Sequence, residues 1–371
     1  MENRRPNNAG AYFDSVQILR AVAAWTVVYH HYVQFFGISF TKSVGTSLLT
    51  YGNFGVDVFF LISGFIMAES VRNRSQSAME FMKNRVARIV PNYWFYTAIL
   101  LVCCLTFPAA FSFFSPFTWQ SVTRSLLFIP NQNPSGHGIL PLLTVGWTLN
   151  YEMLFYLLFS VCLLLPRRFT IAAVVAILFL LPVIHQCLPH AASHLGSVGI
   201  LFKGRYLPEF AIGICINTIH HRFPSRSLWW SLSGVAVCIL SVVYMFHDGR
   251  RELAAAGVLW GALRLNLRFN GPVARFAKHL GNTSYSTYLS HAIIIVATLG
   301  VTGKPTTGWA EYSIIAVITV LTIAMSELSY RLIELRRRSS PQRVRQVGPQ
   351  PSIIPRPAFL SHRAERSVET K

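Results

Sequence analysis

The chain has 371 residues, of which 52% are hydrophobic and only 13% charged, with a mean hydropathy of +0.42. A soluble domain carries roughly 25% charged residues because its surface must face water, so a single soluble core is excluded and most of the surface must meet something apolar. The formal net charge of +19 would suit nucleic acid, but the cations lie between apolar runs, which points to a lipid bilayer as partner and to no nucleic acid.

In chain order, apolar segments fall near 16–37, 52–70, 90–111, 146–165, 169–187, 199–219, 228–246, 252–267, 281–302 and 309–333. A spanning helix needs about 20 mostly apolar residues, and a helix satisfies its own backbone in lipid. The expected fold class is therefore all-α: a polytopic integral membrane bundle of about ten transmembrane helices. With the N-terminus inside, 26 of the 33 Lys and Arg fall on one side and seven on the other. That asymmetry puts both termini in the cytoplasm and the protein in the inner (plasma) membrane. Residues 1–14 are read as a cytoplasmic segment, 15–335 as one membrane domain, and 336–371 as a basic cytoplasmic tail expected to be disordered. No cleavable signal is expected, because the first apolar run follows a polar stretch and is long enough to span. The six cysteines lie in or beside apolar segments without CxxC spacing. They read as packing residues, with no disulfide framework and no metal site.

Ionisable residues inside spans are costly and usually face a cavity or a partner. The first span holds Arg20 and His31, 11 positions apart. At about 100° and 1.5 Å per residue they share one helical stripe, with His31 about 16 Å further outward; His30 lies off that line. An imidazole titrates near neutrality and can serve as a base, or it can simply bond a carbonyl. The second span opens with Asp57, and Glu152 follows Trp147-Thr148-Leu149 at the outer end of another. On this topology His31, Asp57 and Glu152 share a similar depth. Either carboxylate could orient the imidazole; equally, Asp57 could cap a helix and Glu152 pair with a cation. At the inner side, Arg85 and Arg88 share a helical face where a span begins. They could bind phosphates bidentately or merely anchor the helix. The outer segment from Ser112 to about Val145, rich in Asn, Pro and Gly and holding His137, suits either sugar contact or a solvated connector. No GxSxG, Walker A, HExxH or H-x4-D box is present, which argues against ATP-driven transport and zinc hydrolysis.

Read together, these segments resemble the acyltransferase family 3 membrane proteins, most closely the ExoZ-like exopolysaccharide branch. The residues that carry the resemblance are Arg20 with ten residues before His31, Gly55-Val56-Asp57-Val58-Phe59-Phe60 through Phe65, Arg85-x-x-Arg88-Ile89-x-Pro91, Trp147-Thr148-Leu149-x-x-Glu152, Arg205-Tyr206-Leu207-Pro208-Glu209 and Leu280-Gly281-Asn282 through His291. The ordered set covers residues 14 to 335. It departs at Tyr330-Arg331-Leu332-Ile333-Glu334-Leu335, where many relatives have Pro after the Glu. The resemblance implies ten spans, acyl-CoA (commonly acetyl-CoA) as donor, and a polysaccharide or lipid-linked glycan hydroxyl as acceptor. It implies His31 as catalytic histidine with Arg20 its motif partner, Glu152 as essential, and Arg85 and Arg88 in the coenzyme-binding region. Two rivals stay open: a transporter or flippase of polysaccharide precursors, which would not need acetyl-CoA, and a non-catalytic subunit of an assembly complex, whose loss would change polymer amount and not acetylation.

Overall fold

The computed structural model of the chain describes residues 9–37, 42–73, 75–223, 227–247, 250–265, 271–305 and 308–335. The expected basic tail and most of the expected N-terminal segment lie outside the described residues. Within them the regular elements are helical: α1 (Ala9–Phe36), α2 (Lys42–Tyr51), α3 (Phe54–Asn73), α4 (Ala78–Thr106), α5 (Trp119–Leu126), α6 (Trp147–Cys162), α7 (Arg167–Cys187), α8 (Pro189–Ser193), α9 (Tyr206–Arg222), α10 (Leu228–Phe246), α11 (Arg251–Arg264), α12 (Pro272–Thr302) and α13 (Gly308–Ser329). A π-helical turn, Tyr330–Leu335, follows α13.

Each expected span falls on one of these helices, but six are long and apolar enough to cross a membrane by length and composition: α3, α4, α7, α10, α12 and α13 with its π turn. The other four differ for a physical reason. Helices α6, α9 and α11 have 16, 17 and 14 residues, short of the roughly 20 that a bilayer core demands. Helix α1 has 28 residues, but Arg20, His30 and His31 dilute its apolar stretch. These are also helices that turn residues inward: α6 buries Asn150, Phe155 and Tyr156, and α9 buries Glu209, Phe210 and Asn217. By contrast α10 exposes Trp229, Ile239 and Leu240, as a helix facing lipid does.

Lipid tails are as apolar as leucine, so helices in a membrane associate through close packing at small residues. Here α3 and α9 cross at a reciprocal glycine contact. A Cβ on Gly64 or on Gly213 would come within 2.1 Å of the facing carbonyl oxygen, that of Phe210 or Leu61. Beside this crossing an aromatic heart joins three helices: Phe210 stacks on Phe155 at 4.1 Å and meets Phe60 at 5.0 Å. Helix α1 lies along α12, where Gly281 admits the Gln17 carbonyl at 2.0 Å from its would-be Cβ.

The chain end is held by polar groups. Glu334, in the π turn, accepts from Asn92 Nδ2 at 3.0 Å and from Ser286 Oγ at 2.9 Å, which ties the turn to α4 and α12. The missing proline after Glu334 therefore leaves the anchoring of this end intact. The segment from Ser112 to Val145 is ordered. Its α5 has a capping box between Thr118 and Ser121, and the buried Asn133 donates to the Pro141 carbonyl at 3.1 Å. His137 stacks on Phe113 with centroids 4.0 Å apart.

Candidate active site

Among the described residues, two of the cavities in the bundle are lined by charged or imidazole side chains. The first, of about 270 Å³, is lined by Arg20 of α1, Ser63 of α3, Arg85 and Arg88 of α4, and Glu152 and Tyr156 of α6. Ser77 caps α4 by accepting the Glu80 N–H at 3.1 Å, and the two arginines follow on the same helix, three apart, so both reach one wall. Glu152 Oε1 accepts from Ser63 Oγ at 3.1 Å and from the Tyr156 hydroxyl. Three guanidinium groups thus share a cavity with one carboxylate. Arg85 Nε is buried with no hydrogen-bond partner among the described residues, and an unpaired buried donor of that kind calls for a ligand acceptor. The cavity is slightly smaller than usual ligand pockets, which run from about 300 to 1,000 Å³, and its guanidinium groups suit an anionic ligand.

The second cavity, of about 510 Å³, is lined by His30, His31 and Gln34 of α1, with Asn53, Phe113, His137 and Trp147 around them. It joins imidazole and amide groups to aromatic rings, a lining suited to a polyhydroxylated ligand. The expected segment round His137 does contribute to this wall.

His31 has a defined hydrogen-bonding state. His291 Nδ1 lies 3.2 Å from the Thr287 carbonyl, which can only accept, so this nitrogen carries the proton and His291 Nε2 is left as an acceptor. His31 Nδ1 lies 3.1 Å from that Nε2 and 3.1 Å from the Val27 carbonyl. Both partners accept, so His31 Nδ1 carries the proton. His31 Nε2 keeps its lone pair and has no hydrogen bond among the described residues. The network assigns His31 the tautomer that a base or nucleophile needs. His30 instead points its Nδ1 at the Leu48 carbonyl, 2.9 Å away.

The carboxylates stand elsewhere than the depth argument suggests. Neither Asp57 nor Glu152 orients His31; His291, fully buried in α12, holds that position. Glu152 belongs to the first cavity with Arg20, Arg85 and Arg88. Asp57 faces α9, where Arg205 Nε donates to it at 3.0 Å and to Glu209 at 3.1 Å, with a second Arg205 nitrogen 2.9 Å from Asp57. Both carboxylates are 0% exposed, so this cluster locks α3 to α9 and lines neither cavity. Both depth and azimuth differ from the expectation: Gly52 is the residue beside His30 and Gly55 already lies against Ala23, while Asp57 sits one residue beyond Val56, which rotates it about 100° away from the cavity wall. His291 was open to the criterion that found His31, since it is an imidazole inside an apolar helix, and it ends the last of the quoted segments.

Comparisons with known proteins place the chain in a family. The profile described as an acyltransferase domain matches residues 13–326. The exopolysaccharide production protein ExoZ of Rhizobium meliloti (strain 1021) is 34% identical over 310 residues, 80% of this chain and 93% of that protein. The acyltransferase MdmB of Streptomyces mycarofaciens is 27% identical over 75% of this chain and 77% of its own length. The O-acetyltransferase OatA of Staphylococcus aureus (strain NCTC 8325 / PS 47) is 26% identical over 87% of this chain, which spans 57% of OatA. No solved structure matches the chain. With the profile covering most of its length and a helical bundle built to lie in a membrane, the chain belongs to the acyltransferase 3 family and is a multi-pass membrane acyltransferase.

Proposed function

We propose that this protein transfers an acetyl group from acetyl-CoA to a hydroxyl of a cell-surface or exported polysaccharide, or of its lipid-linked precursor. Relatives named for exopolysaccharide production and for O-acetyl transfer favour this acceptor class. The observation that carries the proposal is that the arginine-walled cavity and the His31 cavity are neighbours, sharing Val56 and Tyr288 in their linings. A phosphorylated thioester on one side and a sugar hydroxyl on the other can thus reach one imidazole.

The protein is read as a ten-span inner-membrane protein with both termini in the cytoplasm, and residues 15–335 as its membrane domain. The bias of 26 of 33 cations to one side supports that orientation. It turns the Arg20, Arg85 and Arg88 end toward the cytoplasm, where acyl-CoA is available. Arg85 and Arg88 hold the coenzyme phosphates as bidentate donors, with Arg20 adding positive charge. Glu152 fixes Tyr156 and Ser63 and balances that charge.

The thioester carbonyl passes toward His31 while the acceptor hydroxyl occupies the outer cavity. His31 Nε2 takes the hydroxyl proton as the oxygen attacks the carbonyl carbon. The tetrahedral intermediate collapses by breaking its C–S bond, and the departing thiolate recovers the proton from the imidazolium. One ester and one thiol result, with no net proton released. His31 acts as base because it already lies on the wall that the acceptor reaches.

The test is to replace His31 with Ala in a producing strain and measure O-acetyl content by mass spectrometry. Loss of acetyl with polymer yield maintained is the expected result; normal acetylation at normal protein level would sink the proposal. His30→Ala, in parallel, should cost less. A precursor transporter would use the same buried charges but has no need of coenzyme, so calorimetric titration of purified protein with CoA separates the two readings.

A further inference from the structure

Val56 and Tyr288 are lining residues of both cavities, and both are 7% exposed. Neither side of this junction is free to move aside. The Tyr288 hydroxyl donates to the Val145 carbonyl at 2.9 Å and lies 3.1 Å from Thr148 Oγ1, which tethers the far end of the ring to the turn before α6. Its ring is also flanked by His291 at 5.8 Å and Phe59 at 6.1 Å. On the opposite side, the residue before Val56 is Gly55, whose would-be Cβ lies 2.3 Å from the Ala23 carbonyl. At that separation α3 is pressed on α1 and cannot retreat without losing the contact. A β-branched side chain has one strongly preferred rotamer in a helix, so the Val56 methyls are fixed as well.

We propose that Val56 and Tyr288 form a rigid aperture that sets the width of the acyl group delivered to His31, restricting the donor to thioesters of short, unbranched acids. This rests on the acyl-CoA reading above and deepens it. The acyl group is the leading end of an acyl-CoA entering from the arginine side, so it meets the aperture before any other part of the coenzyme. A straight two-carbon group presents one methyl beside its carbonyl. A branched group presents two side by side, and a close-packed wall that cannot relax excludes the second.

Membranes from cells expressing the full chain are given equal concentrations of acetyl-CoA and isobutyryl-CoA with different isotopic labels, and ester-linked label is counted in the glycan fraction. Wild type should incorporate acetyl almost alone. Val56→Ala should raise the isobutyryl-to-acetyl ratio by about tenfold or more, the low end of what one methylene of pocket space decides. Val56→Leu should lower acetyl transfer while the KM for acetyl-CoA stays near wild type. An unchanged ratio in Val56→Ala, with acetyl transfer retained, overturns the aperture. If that variant fails to accumulate, Tyr288→Phe, which removes the hydroxyl tether without adding bulk, must shift the ratio in the same direction; an unchanged ratio there overturns it too. Incorporation from neither thioester by wild-type membranes would instead sink the acyl-CoA reading on which the aperture rests.

Discussion

His291 Nε2 lies 3.1 Å from His31 Nδ1, although 260 positions of chain separate them. Because His291 commits its own Nδ1–H to the Thr287 carbonyl, it can only accept from His31. It thereby decides which nitrogen of His31 carries the proton. His291 acts through His31 and is a positioning residue.

Replacing His291 with Ala should therefore lower kcat by roughly 10- to 100-fold, part of the ~10²–10⁴ that a positioned base contributes, with the KM for acetyl-CoA little changed. His291→Gln, whose amide oxygen can accept from His31 Nδ1, should recover part of the loss. Steady-state kinetics on both variants checks this. If Gln and Ala are equally impaired at equal folded protein, His291 is a packing residue and nothing more.

Base catalysis predicts that no acyl-enzyme accumulates. Purified protein incubated with labelled acetyl-CoA in the absence of acceptor should remain unlabelled after rapid quenching. Stoichiometric label on His31 would make that nitrogen a nucleophile and replace the single displacement by two steps.

Arg85 and Arg88 of the first cavity should act on coenzyme affinity. A hydrogen bond to a charged group is worth about 1.5–3 kcal/mol, so Arg85→Ala or Arg88→Ala should raise the KM for acetyl-CoA by roughly 10- to 150-fold, and the remaining affinity should depend less on salt. Lysine should rescue poorly, since a point charge does not reproduce the planar fork. Titration of each variant with CoA measures the effect directly. An affinity equal to wild type in both variants would assign these residues to membrane anchoring.

The Asp57–Arg205–Glu209 cluster predicts a different phenotype. Removing the guanidinium strands two carboxylates that are 0% exposed, and breaking a buried pair in this way costs about 3–5 kcal/mol. Arg205→Ala should lower the thermal midpoint and the amount of protein in the membrane. Activity per folded molecule should fall far less than in His31→Ala. A stable Arg205→Ala protein with no activity would move this cluster into the reaction.

Much of the helical architecture was legible because apolar runs and their lengths report directly on the bilayer. The Arg20–His31 stripe was legible because α-helical phase is set by local geometry alone: Arg20 lines one cavity and His31 the other. The grouping of Arg85 and Arg88 on one wall followed from their three-residue spacing. What phase along a single helix does not encode is the rotation of one helix against another. Asp57 turns to Arg205, and the partner of His31 comes from α12, far along the chain. Those choices are fixed by where Gly55, Gly64, Gly213 and Gly281 let backbones touch, and the sequence records such contacts only as small residues.

The contact between Gly281 and the Gln17 carbonyl has a consequence for motion. Gln17 sits one turn before Arg20, and Gly281 lies on the helix that carries Tyr288 and His291. With those backbones in contact, α1 and α12 behave as a single rigid post bearing the imidazole pair and one jaw of the acyl passage. Any opening that admits coenzyme or releases product must therefore leave that post whole.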